Sequence, residues 1–368
     1  MTDERRVKHE RVIGWLEKQS LDGVVLTRRC NFSWYTCGCR NHVAEACEVG
    51  VSSLVVRRDG AAVVANNIEA TRLAGEDLPA DVPVIDYAWY DPAARRAAFE
   101  KALGGGRFAA DAPLPGLDLP ATDGEFERLR WQLTGAEIAR YRQLALDVGK
   151  TVEIAARLAQ PGMTEWEIAG QLDAGLRALG IVPWVLLIAA DERAERYRHP
   201  LPTGKIFTRM AMLVATAERG GLIAAVTRLV AAGRVPEELA AKHRAVATVD
   251  AALIGATRVG ATLGEVFAAG QRAYEQVGYG DEWRRHHQGG SIGYLGREVK
   301  AVPGSDVPVL ADQAFAWNPS IGGTKCEDTI LCRTDGVEIL SATGDWPTIQ
   351  ASWDGQTFAR PDILTPLP

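Results

Sequence analysis

Apolar residues recur every three to four positions across 4–19 (ERRVKHERVIGWLEKQ), which predicts an amphipathic helix, and an apolar run follows at 22–27 (DGVVLT). Two β-rich runs flank Asp59-Gly60 within 52–67 (SSLVVRRDGAAVVANN), a hairpin signal because an Asp-Gly pair accepts the twisted turn that joins adjacent strands. A strand at 82–90, a helix near 92–103 and a strand at 107–115 continue the alternation. The pattern predicts a small α/β domain over residues 1–124, closed by the Pro- and Gly-containing linker GLDLPATDG (116–124).

The periodicity then changes. Long helical patterns cover 135–159, 164–179, 235–258 and 262–278, with strand-like runs at 183–190, 209–218, 221–230 and 313–320. A further strand pair, 328–341, turns at Asp335-Gly336. Segments 161–184 and 260–283 share a plan. Each opens on a capping box, Thr164 with Glu167 and Thr262 with Glu265, in which hydroxyl and carboxylate satisfy backbone N–H groups at the helix start. Each continues as an amphipathic helix, passes a Gly, and leads to a strand-like segment containing Trp. Residues 125–368 are therefore expected to form an α+β domain of two similar halves, with a ligand cleft between them.

Composition narrows the function classes. Net charge is −6 with pI near 5.7, which disfavours a nucleic-acid backbone as partner. No apolar run reaches the roughly 18 residues of a membrane span, and the charged N-terminus has no secretory core, so a cytoplasmic protein without membrane contact is expected. Cys30, Cys37, Cys39 and Cys47 crowd together but lack the paired CxxC spacing that zinc favours, and reduced thiols are the expectation. The six histidines include the adjacent pair His286 and His287, beside a Gly-rich turn.

Several stretches together carry a family likeness: LTGAEIARYRQLALDVG (133–149), PGMTEWEIAGQL (161–172), GLIAAVTR (221–228), GGSIGY (289–294), CEDTIL (326–331) and TDGVEIL (334–340). In this order they resemble the pita-bread superfamily of methionine aminopeptidases, prolidases, aminopeptidase P and creatinase. The two-domain plan, with NFSWYTCG (31–38) in the first half, resembles its creatinase/prolidase branch. Peptidases of this family hold two divalent cations with two aspartates, a histidine and two glutamates, since paired hard cations need several anionic oxygens. The resemblance places those ligands at Val214, Ala225, Gly290, Asn318 and Glu327, of which only Glu327 keeps its identity. It thus implies a chain with no metal pair and no cofactor.

Creatinase, which works without metal, uses a histidine as its acid–base group, and the resemblance places that role on His199 in ERYRHPLPTGKIF (195–207). A histidine suits the task because its ordinary pKa lies near neutrality. Glu327 is expected to act in catalysis by orienting His199 or the substrate, beside a positive group that is a cationic substrate, His199 or Arg228, because an unpaired buried carboxylate is costly. Asn318 is expected to grip a carbonyl or carboxylate oxygen, Glu298 to line the cleft, and Tyr197 with Arg198 to bind a substrate carboxylate. One of His286 and His287, but not both, is expected to face the substrate, since neighbours on an extended segment point to opposite sides, and neither is expected to bind metal. By resemblance to creatinase-like dimers, Arg40 is expected to reach the active site of a partner copy.

The expected activity is metal-independent hydrolysis of a C–N bond in a small polar substrate, such as an amidino compound, a cyclic amidine or an N-acylated amino acid. The alternatives are a cofactor-free lyase, a non-catalytic binding module, and a peptidase holding one ion on His199, His286 or His287.

Overall fold

The computed structural model describes residues 1–365. The chain divides into two compact units, Met1–Arg130 and a second that begins at Trp131. The division falls beyond the expected 116–124 linker because the short helix Gly124–Arg128 belongs to the first unit. Its Phe126 packs edge-on against Trp15 at 4.9 Å and Trp34 at 6.4 Å.

The first unit opens on the helix Asp3–Gln19, capped by Thr2. Its sheet comprises β1 (Gly23–Arg28), β2 (Val49–Arg57), β3 (Gly60–Asn66), β4 (Val84–Tyr87) and β5 (Phe108–Ala110), in the order β4-β3-β2-β1-β5. The expected hairpin β2–β3 forms, its turn lying over Arg58-Asp59 and Gly60, at φ +155°, opening β3 opposite Arg57. The stretch after β1 is a helix, Arg29–Tyr35, with every residue buried.

The second unit contains the helices Gly135–Leu158 and Glu165–Ala178, then β6 (Val182–Ala190), β7 (Met210–Arg219) and β8 (Leu222–Ala231). The order repeats with helices Glu237–Ala256 and Leu263–Gln276, followed by β9 (Gly289–Ile292), β10 (Val299–Lys300), β11 (Gln313–Trp317), β12 (Ser320–Ile321), β13 (Thr324–Lys325), β14 (Asp328–Arg333) and β15 (Gly336–Ile339). Both expected capping boxes form, at Thr164/Glu167 and Thr262/Glu265, and a third sits at Thr134/Glu137. The last elements are β16 (Thr348–Trp353), β17 (Gln356–Pro361) and β18 (Ile363–Leu364).

Two sheets dominate this unit, β18-β8-β7-β6 and β10-β9-β11-β14-β15. They are stitched together where Thr227 meets Glu327: the Thr227 N–H donates to the Glu327 carbonyl at 3.1 Å, and the Ala225 N–H donates to Thr329 Oγ1 at 2.8 Å. That seam fixes Glu327 against the second half of β8.

Beneath the seam lies a buried charge network. Arg360 bonds Asp250 at 2.6 Å and Asp328 at 2.7 Å, while Arg228 bonds Asp328 at 3.0 Å and Glu153 at 3.2 Å. Each of these charges is both paired and hydrogen-bonded, the condition under which buried ions are tolerated.

Candidate functional site

Glu327 lies on the extended turn between β13 and β14 and is 1% exposed. Residues two apart on an extended segment share a face, so Lys325 meets it, Nζ standing 2.7 Å from Oε2. Thr227 Oγ1 donates to the same oxygen at 2.7 Å, and Arg297 approaches Oε1 at 3.4 Å. Burial pushes the Glu327 carboxyl up, but the attraction of Lys325 and Arg297, with the hydrogen bonds from Lys325 and Thr227, outweighs it and leaves the group below its ordinary value. Burial also lowers Lys325 and Arg297, against the opposing pull of Glu327.

Arg228, expected as a cation for Glu327 or as a substrate contact, is turned the other way. Adjacent strand residues face opposite sides. Thr227 points at Glu327, and Arg228 points into the network with Glu153 and Asp328.

The three histidines come together. His286 Nε2 lies 3.1 Å from His199 Nε2, its Nδ1 lies 3.2 Å from Ser320 Oγ, and the His286 and His287 ring centroids are 4.7 Å apart. The ligand atoms of all three lie within 4.8 Å of one another, the single such histidine, cysteine or carboxylate group among the described residues. Both rings of the pair thus enter one cluster, where one alone was expected to face a substrate. His286 follows the 3₁₀ turn Glu282–Arg285 directly, with φ −154° and ψ 141°.

Burial, then the positive charge of Lys325, lowers His199, and the same two causes bring His286 down to about 2. Burial and Arg297 bring His287 to about 4. Each ring is thereby biased toward its neutral form. His287 Nδ1 is buried with no hydrogen-bond partner.

Asn318 is 2% exposed. Its backbone N–H donates to Gln288, while Oδ1 is buried without a partner. Glu298 accepts from the backbone of Tyr294 at 3.0 Å and Leu295 at 3.2 Å, which holds the turn after β9. Tyr197 is exposed and stacks under Arg193, and Arg198 pairs with Glu282. In the first unit, Arg40 is exposed and reaches Asp77 at 3.4 Å.

Val214 and Ala225 are buried on β7 and β8 and carry no donor atoms. Gly290 has φ +149°, and a Cβ there would lie 2.0 Å from the Val299 carbonyl oxygen, so its backbone admits no side chain. Lys325 and Arg297 were not singled out from sequence. The signal was available in the spacing Lys325-x-Glu327, since a buried carboxylate demands a cation on its own face. A cavity of about 500 Å³ lined by Glu195, Arg209, Met210, Leu239 and Lys242 carries none of these site residues on its wall.

The chain is 22% identical over 228 residues to an uncharacterised peptidase of Staphylococcus haemolyticus, a match covering 60% of this chain and 65% of that protein, so under two thirds of the relative's length is spanned. Among solved structures it is similar to the prolidase from Pyrococcus horikoshii OT3, with TM-score 0.77, 20% identity and coverage of 91% of this chain and 98% of that one. It is likewise similar to the Xaa-Pro dipeptidase from Bacillus anthracis, with TM-score 0.76, 18% identity and coverage of 92% and 97%. These likenesses establish the α+β fold, an N-terminal α/β domain followed by a pita-bread domain as in the prolidases. The profile of metallopeptidase family M24 matches residues 139–334, more than half of the sequence, and the chain belongs to that family.

Proposed function

We propose that this M24 protein hydrolyses a C–N bond, amide or amidine, in a small polar substrate that carries an anionic group, and that it does so without the paired cations of the family. The observation that supports this reading is the buried triad of Lys325, Glu327 and Arg297, two cations on one carboxylate beside the histidine cluster. Two divalent ions need several anionic oxygens. Val214 and Ala225 supply none, the Gly290 backbone excludes a side chain, and Asn318 is neutral. The residues present do not fit a dinuclear centre, and side-chain cations balance Glu327 instead.

The triad's formal charge is +1, which favours a substrate carboxylate or a developing oxyanion. His199, biased toward its neutral form by burial and Lys325 and the most exposed of the cluster, accepts the proton of an attacking water and returns it to the leaving nitrogen. Asn318, with an unpaired buried Oδ1, is suited to an amide or amidine N–H of the substrate. Without a cation pair, transition-state charge must be met by such fixed groups. We also propose that the protein works as a homodimer in which Arg40 serves the partner's site.

The test is a panel of X-Pro dipeptides, N-acyl amino acids and amidines offered to wild type and to His199→Ala. Turnover that His199→Ala lowers by at least about 100-fold supports the proposal. Turnover confined to X-Pro dipeptides and untouched by that substitution overturns it.

A further inference from the structure

We infer that His199, His286 and His287 form a site for a single divalent transition-metal ion, zinc or cobalt in class, distinct from the positions the family uses. The inference rests on reading this cluster as the reaction site, and it supplies a second way for the cluster to activate water.

The geometry carries it. In a tetrahedral zinc site with Zn–N near 2.0–2.1 Å, ligand nitrogens stand about 3.3 Å apart. His199 Nε2 and His286 Nε2 already stand at 3.1 Å, and the third ring's ligand atom lies within 4.8 Å of both. His286 also has the outer support that metal-bound histidines show. Its Nδ1 stands 3.2 Å from Ser320 Oγ, and the Ser320 backbone N–H donates to Tyr274 Oη at 2.9 Å, which holds the ring with Nε2 toward His199. His287 Nδ1 is a buried polar atom with no protein partner. Three protein ligands with one exposed member leave a coordination position open to solvent, the arrangement of catalytic rather than structural zinc.

Lys325, Arg297 and Lys300 oppose a dication here, and Glu327 offsets one of them. The ion is therefore expected to bind together with an anion, hydroxide or a substrate carboxylate, in its open position. When bound, such an ion lowers the pKa of a coordinated water toward neutrality. His199 then serves as a ligand, and Glu327 with its cations remains the substrate-orienting group.

The experiment uses chelator-stripped full-length protein titrated with ZnCl₂ by calorimetry and with CoCl₂ by visible absorption, with and without acetate. One ion per chain is expected, with tighter binding in acetate and a cobalt spectrum free of thiolate charge-transfer bands, which would betray the cysteines. His199→Ala, at the exposed edge, should weaken binding at least about 100-fold with an unchanged melting temperature. Ser320→Ala should weaken it about 10-fold. Stoichiometry well below one, thiolate bands, or affinity indifferent to His199→Ala overturns the inference, and His199 then stands as a bare base. Loss of the hydrolase proposal reads differently: an ion bound with these properties, but no turnover of any amide or amidine, loaded or stripped.

Discussion

Lys325 Nζ and Glu327 Oε2 lie 2.7 Å apart, two residues along one extended segment, and both side chains are at least 96% buried. Removing one member of such a pair strands the other charge in a low-dielectric interior. Lys325→Met should therefore destabilise the protein by about 3–5 kcal/mol in urea denaturation. The double variant Lys325→Met/Glu327→Leu should recover most of that loss, since neither charge is then left alone. A single-variant loss below about 1 kcal/mol would mean that Arg297 at 3.4 Å and Thr227 suffice to hold the carboxylate.

Gly290 gives a second expectation. With its Cβ position 2.0 Å from the Val299 carbonyl oxygen and 2.9 Å from the Ala301 nitrogen, even one methyl group must displace backbone between β9 and β10. Gly290→Ala should lower stability by about 3 kcal/mol or more, read as a fall in the urea midpoint. The exposed control Gly116→Ala, at φ +82° with open space around it, should lose only about 1 kcal/mol.

The network under the seam makes stability depend on pH once it is broken. Burial holds the Asp250 carboxyl up at about 6, with Arg360 pulling it down. In Arg360→Met that pull is gone and the folded-state pKa rises further above the unfolded value of about 3.9. A carboxyl raised in the folded state adds stability below its unfolded pKa and loses it as pH climbs through the folded one. Asp328, lowered in the wild type by Arg228 and Arg360 against burial, contributes stability above its unfolded pKa, and part of that vanishes too. The gap between Arg360→Met and wild type should thus be largest near pH 8, about 3–5 kcal/mol, and smaller at pH 5. A gap that widens toward pH 5 would refute this account.

Under the proposed function, Asn318 gives up stability for a substrate contact. Its Oδ1 is buried without a partner, which penalises the folded state by about 1–3 kcal/mol. Asn318→Leu should leave stability unchanged or raise it by about 1 kcal/mol, while kcat/KM on any substrate found falls at least about 10-fold. Destabilisation with intact turnover would assign Asn318 to the turn alone.

Much of the fold is legible because it is written in local signals. The β2–β3 hairpin, the capping boxes at Thr164 and Thr262 and the helical spacing of the long elements depend only on neighbours in sequence. The same kind of signal was overlooked at Asp354-Gly355, where both residues take positive φ and turn β16 into β17. The site is less legible because its contacts are made across the chain. His199 and His286 are 87 residues apart, and nothing local aims their rings at each other. The pair His286 and His287 is a different case: the two residues precede β9, belong to no strand ladder, and both send their rings into one cluster. Arg228 is the converse case, since alternation along β8 does hold there and turns it away from Glu327.

The Gly290 backbone also sets what this loop can be made to hold. A histidine introduced at 290 would start its side chain where the Val299 carbonyl stands, so the β9–β10 path would have to open before any ring could fit. A ligand engineered into this loop therefore has to enter from a position outside the close pairing of β9 with β10.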